Sequence, residues 1–314
     1  MSGRQRPAVG AAAALALLLL GATAGCARAQ PSTVPAPQRA DTAALHRTLD
    51  SLAQAHHGIV GYTVLNVDTR ERLERLGDST FSTASLIKVP ILVTLYTLVG
   101  QDSISLSDPL TMLKLDKVGG AGMLQFLHPG LQLTVGDAAW LMSTLSDNTA
   151  TNLLIDRIAV QRVWRTMEAL GLPHTKVHGR SMLVEMRVSR DSAARYGLGV
   201  TTPNEMARLF ERLALGQAVS PAADSAMLAT LEQNTDGDML QRYAGGVRSP
   251  HKTGATDQVR TECALFYLQT RVVACVLTNQ NADTRWILDN EPQLTMARMG
   301  AAIVGAWPRA EPPP

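Results

Sequence analysis

The chain has 314 residues, 46% of them hydrophobic and 18% charged, which is enough apolar material for a sizeable core. Its formal net charge of +2 comes without any Lys/Arg block interleaved with aromatics, which argues against a nucleic-acid partner.

Arg4 and Arg6 precede an apolar run over residues 11–20, and small residues follow through Ala29. That run is too short to cross a bilayer core of ~30 Å as a stable helix, and it suits an export signal over residues 1–29. Cleavage after Ala29 would release the protein to a periplasm or the exterior. Ala24-Gly25-Cys26 alternatively resembles a lipoprotein box, in which a lipidated Cys26 would tether the chain to a membrane. Thr23 stands where such a box usually has a bulky aliphatic residue, and this favours release. Residues 30–42 begin with a Pro-rich stretch and read as a tether, residues 43–306 as the folded domain, and residues 307–314 as a flexible tail.

Leu45, Leu49 and Leu52 recur at helical spacing within 43–55, and a β-branched run over 59–67 leads to a turn at Asp68-Thr69-Arg70. A short second strand through Leu73 and Leu76 follows. From Ser82 to about Arg212 the pattern changes to helices, predicted over 85–99, 134–146, 148–158, 161–170 and 203–214. Thr134 and Thr202-Pro203 are start signals, with Asp137 favourable in a first turn. Pro90 is awkward in the first of these helices, where it interrupts a hydrogen bond. Beyond residue 250, segments 258–268 and 272–277 read as a hairpin, and a last helix is predicted over 291–305.

Strands at both ends with helices between them predict an α+β fold of two lobes. One is an antiparallel sheet flanked by terminal helices (43–82 and about 213–306). The other is all-helical (about 83–212), with the active site in the cleft between them. Cys263 and Cys275 fall on the two hairpin strands, either facing each other as a disulfide or standing as independent buried thiols. Neither has a His or a second Cys at metal-ligand spacing, so no metal and no cofactor are expected.

Three short segments carry chemistry. Ser85-Leu86-Ile87-Lys88 places a hydroxyl and an amine one turn apart on a helix face, where a partly buried, neutral lysine can take the serine proton. Ser146-Asp147-Asn148 offers a second hydroxyl to pass a proton to a departing nitrogen, and an amide able to bind a substrate carbonyl and the lysine amine. It is also a good helix start. Lys252-Thr253-Gly254 offers a charge and a hydroxyl to a substrate carboxylate, and its glycine lets a ligand approach the backbone closely.

In this order and spacing the segments resemble the class A β-lactamases and related penicillin-recognising serine hydrolases, over roughly residues 43–305. The resemblance implies Ser85 as the acylated nucleophile, Lys88 as its base partner, Ser146 as proton shuttle and Asn148 as the group orienting substrate and lysine. It implies Lys252 and Thr253 as carboxylate ligands, and the N–H groups of Ser85 and Ala255, which follows Gly254, as the oxyanion hole. Arg260, eight residues past Lys252, is expected as a second positive group. The substrate is then a β-lactam or a peptidoglycan-like small molecule, acted on by a monomer.

A β-lactamase also needs a loop glutamate to activate the deacylating water. The family's Glu followed four residues later by Asn is absent from residues 179–200. Glu185, 67 residues before Lys252, is the best candidate, with Arg180 as a loop clamp, Ser189 four residues on, and Asp191 as a second choice. The departure keeps a D,D-peptidase or another amide or ester hydrolase open beside the β-lactamase, and behind them a sensor that acylates and stops.

Overall fold

The computed structural model describes residues 39–183 and 188–310. Helix α1 (Thr42–Ala55) starts where Asp41 accepts the Ala44 N–H at 2.9 Å, and it buries Leu45, Leu49 and Ala53 along one stripe. Strands β1 (Ile59–Asn66) and β2 (Arg72–Arg75) follow, then the short β3 (Phe81–Ser82), a 3₁₀ turn (Ala84–Ile87) and α2 (Lys88–Gly100). Strands β4 (Pro109–Thr111) and β5 (Gln132–Thr134) lead to α3 (Val135–Thr144), α4 (Asn148–Ile158) and α5 (Val160–Ala169). After β6 (Lys176–Val177), α6 (Arg190–Tyr196) and β7 (Gly199–Thr201) come α7 (Pro203–Leu215) and α8 (Pro221–Leu231). The chain closes with β8 (His251–Thr256), β9 (Val259–Tyr267), β10 (Arg271–Asn279) and α9 (Glu291–Ala306).

Among the described residues, five strands form one antiparallel sheet in the order β2-β1-β10-β9-β8. One face carries Val60, Tyr62, Val64, Phe266 and Val276, which pack with Leu49 of α1 and Met296, Met299 and Ile303 of α9. The other carries Leu65, Leu265, Val273 and Leu277, against Met206, Leu209 and Phe210 of α7. Both faces are covered, so β1, β9 and β10 are buried at almost every position and read as continuous apolar runs. The two-lobed α+β arrangement is therefore the observed one, with short strands also present inside the helical lobe.

Two details differ from the sequence expectation. Helix α8 buries Met227, Leu228 and Leu231 in the cluster that holds α2, α3 and α7, so helical packing extends past residue 212. Residues 251–256 form a separate edge strand ahead of the predicted hairpin. Cys263 lies opposite Cys275 in the β9–β10 ladder, and the two are joined as a disulfide, which closes the alternative of independent thiols.

Candidate active site

Ser85 sits in the 3₁₀ turn and not yet in the helix; α2 begins at Lys88. This disposes of the difficulty with Pro90, which is the third residue of α2, within the first turn, where backbone N–H groups lack helical partners anyway. From Phe81 to Leu95 every residue is buried except Ser85, which is half-exposed. Ala84 before it has φ 44°, a left-handed conformation costly for a residue with a Cβ, and such strain concentrates at functional positions.

The Lys88 amine is buried and donates to the Ser146 carbonyl at 2.5 Å, Ser146 Oγ at 3.0 Å and Asn148 Oδ1 at 3.0 Å. Burial pushes its pKa well below the ordinary lysine value, the Lys252 charge acts the same way, and Asp147 opposes them. Ser146, with φ 53°, turns the chain between α3 and α4. Asp147 is the N-cap of α4: Oδ1 accepts the Ala150 N–H at 2.9 Å, while Oδ2 accepts those of Met123 and Leu124 at 2.7 and 2.8 Å. Capping and chemistry thus coexist in one tripeptide. Loop 118–125 can lie this close because Gly122, at φ 101°, has no Cβ; one would come within 2.3 Å of the Asp147 carboxyl. The same loop receives Asn148, whose N–H and Nδ2 donate to the carbonyls of Ala121 and Gly119.

Strand β8 runs beside the Ser85 turn. A Cβ on Gly254 would lie 2.5 Å from the Thr83 oxygen and 2.8 Å from the Leu86 nitrogen, and Thr261 Oγ1 donates to the same Thr83 oxygen at 2.8 Å. The close approach that requires Gly254 is therefore made by the protein's own backbone, not by a ligand. It brings the half-exposed Ala255 alongside Ser85. The buried Lys252 donates to the Thr253 carbonyl at 2.8 Å; desolvation lowers its pKa to about 8, against Asp236 and Glu262.

Ser85, Lys88, Ser146, Asn148, Lys252, Thr253, Gly254 and Ala255 thus lie on segments that pack around one turn. Arg260 lies on the sheet face that carries Thr253 and Ala255. Lys252 faces Cys263 across the ladder whereas Arg260 faces Ala255, so their side chains point to opposite faces of the sheet. The Arg260 guanidinium donates to the carbonyls of Thr256 and Val259 and stacks 4.7 Å from the Trp286 ring centre. Glu185 lies outside the described residues. Asp191 is exposed in the first turn of α6. Arg180 pairs with Asp116 at 3.2 Å and Asp156 at 3.5 Å.

Sequence reasoning missed Ser181. This buried loop residue places its Oγ 3.3 Å from Asn148 Oδ1, donates its N–H to Asn152 Oδ1 at 2.6 Å and accepts from Asn152 Nδ2 at 3.2 Å. Asn152 stands four residues past Asn148 on the same helix face, a spacing that could have drawn attention to it. A cavity of ≈ 780 Å³ opens past Ala255, lined by Thr256, Asp257, Tyr196 and Ser82 but not by Ser85 or Lys88.

The family model for the β-lactamase enzyme family matches residues 44–307. No curated protein matches. Among solved structures, a β-lactamase from Sphaerobacter thermophilus is 28% identical with a TM-score of 0.75, covering 85% of this chain and 97% of its own. A mutant of PBP-A, in acyl-enzyme complex with penicillin G, is 25% identical with a TM-score of 0.75, covering 87% and 98%. An ancestral class A β-lactamase is 25% identical with a TM-score of 0.73, covering 84% and 100%. With a match that spans the whole folded region and the site geometry above, the chain belongs to the β-lactamase enzyme family.

Proposed function

We propose that this protein is a serine hydrolase that opens a β-lactam, or a related acyl-D-amino acid amide, through an acyl-enzyme on Ser85. What carries the proposal is the buried Lys88 amine, hydrogen-bonded to Ser146 and Asn148, one turn after the half-exposed Ser85 in an otherwise buried stretch over 81–95. In the neutral form that burial favours, Lys88 takes the Ser85 proton as Oγ attacks the carbonyl. Ser146, on the same amine, returns a proton to the leaving nitrogen, and Asn148 orients the substrate amide. The N–H groups of Ser85 and Ala255 receive the developing oxyanion, while Lys252 and Thr253 hold a carboxylate. The Cys263–Cys275 disulfide supports export, because such bonds persist in oxidising compartments.

A specific observation favours the peptidase-like alternative with slow deacylation. Among the described residues, the loop side chain that contacts Asn148 is the Ser181 hydroxyl, which can hold a water but is no base at neutral pH. One experiment addresses both readings: expose the protein to penicillin and follow intact mass with time. A covalent adduct that is absent from Ser85→Ala supports acylation, and no adduct in the unmodified protein sinks it. Decay of the adduct within seconds speaks for a β-lactamase; survival for hours speaks for a peptidase or another acyl-transfer enzyme.

A further inference from the structure

The groups assigned above to a substrate carboxylate already meet a carboxylate of the protein. The Thr253 hydroxyl donates to Asp236 Oδ2 at 2.7 Å. Thr253 is only 3% exposed whereas Asp236 is exposed, so the aspartate covers the hydroxyl on the solvent side. Asp236 is not a loose surface acid. Its N–H donates to Asn234 Oδ1 at 2.9 Å, and its carbonyl lies 2.9 Å from His251 Nε2 at the start of β8. Its neighbours Asn234 and Thr235 donate to the carbonyls of Ser143 and Thr144, at the end of α3 just before Ser146. The loop is pinned to both walls of the site.

A hydroxyl has one proton to give. A substrate carboxylate can receive it only if Asp236 releases it, and two carboxylates around one hydroxyl repel each other. The charged groups nearby do not cancel this repulsion. Lys252 is one cation against the two acids Asp236 and Glu262, the latter buried opposite Thr253 in the ladder, and the Arg260 guanidinium, on the Thr253 face, is turned to the Thr256 and Val259 carbonyls and the Trp286 ring.

We propose that Asp236 is a specificity-determining residue that disfavours substrates with a carboxylate beside the scissile amide, and so selects for neutral acyl donors such as esters or amides of D-amino acids. The proposal rests on acylation of Ser85 and names the substrate class within it. The test compares the rate of Ser85 acylation by a penicillin bearing its free carboxylate with the rate for its methyl ester. It is followed by intact mass in the full chain and in Asp236→Asn. The anionic-to-neutral rate ratio is expected to rise about tenfold in Asp236→Asn, the size of one charge-assisted hydrogen bond, and to stay low in Asp236→Glu. Asp236→Ser, a second neutral replacement, must move the ratio the same way, so that a folding defect in one variant leaves the test standing. An unchanged ratio in proteins that still label Ser85 overturns the proposal alone. Failure of both compounds to label Ser85 in every one of these proteins overturns the acylation reading beneath it.

Discussion

Two lysines share this site in different states, and pH separates them. Lys88 loses its proton well below the usual lysine range because it is buried, with the Lys252 charge adding to the effect. Lys252 is held at about 8, so it keeps its charge at neutral pH and loses it above that value. The rate of Ser85 acylation by an anionic substrate is therefore expected to fall above pH about 8, as the cation that would hold the carboxylate disappears. A neutral ester of the same compound should show no such fall. In Lys252→Arg, whose guanidinium stays protonated, the fall should vanish or move several units higher. A fall of equal size with both compounds would remove Lys252 from carboxylate binding. The residues in these arguments were legible because the chemistry demands particular side chains at short spacing, one turn for Ser85 and Lys88. The register at Arg260 was not legible from spacing: a tight turn at Asp257-Gln258 pairs residues so that Arg260 shares a face with Thr253 and Ala255 and not with Lys252, eight positions before it. Asp236 had no local signal at all, since its meaning comes from a hydroxyl 17 residues away.

Elements bring these residues together, and β8 packs closely on the Ser85 turn. Gly254→Ala adds a methyl group where two backbone atoms stand within 3 Å, and neither is the end of a flexible chain. Either β8 or the turn must shift, which moves Ala255 relative to Ser85. A displacement near 1 Å typically costs on the order of 100-fold in rate, and a loss of that size in acylation is expected, accompanied by a lowered melting temperature. Unchanged acylation in Gly254→Ala would mean that the turn gives way freely and that Ala255 takes no part in stabilising the oxyanion. Helices α1, α5 and α7 were legible because each buries one clear stripe, and α2 and the hairpin because they read as long apolar runs. Helix α6 has only seven residues, and α8 lies between loops with little amphipathic character, so neither stood out. Pro90 shows the opposite case: a residue that looks like a defect until the helix start is placed three residues later than the motif suggests.

At the scale of the whole molecule, the sheet is the platform on which both lobes rest, and the disulfide lies within its most buried layer. Cys263 and Cys275 are fully buried on the face that packs against α7, and Cys263 stands opposite Lys252 in the next ladder. A cross-link between residues 12 apart restricts the unfolded chain, and the loop-closure model assigns it about 3 kcal/mol. Replacing both cysteines by alanine should cost that amount, and a further ~1–2 kcal/mol for the sulfur volume removed from a close-packed layer. Reduction of the unmodified protein isolates the first contribution, because both sulfurs remain in place. Urea unfolding is therefore expected to rank the oxidised protein first, the reduced protein about 3 kcal/mol lower, and the double alanine variant lowest. If reduction leaves the midpoint where it was, the cross-link does not constrain the unfolded chain as the loop model requires. If the alanine variant matches the reduced protein, the layer between the sheet and α7 closes around the missing sulfurs at no cost.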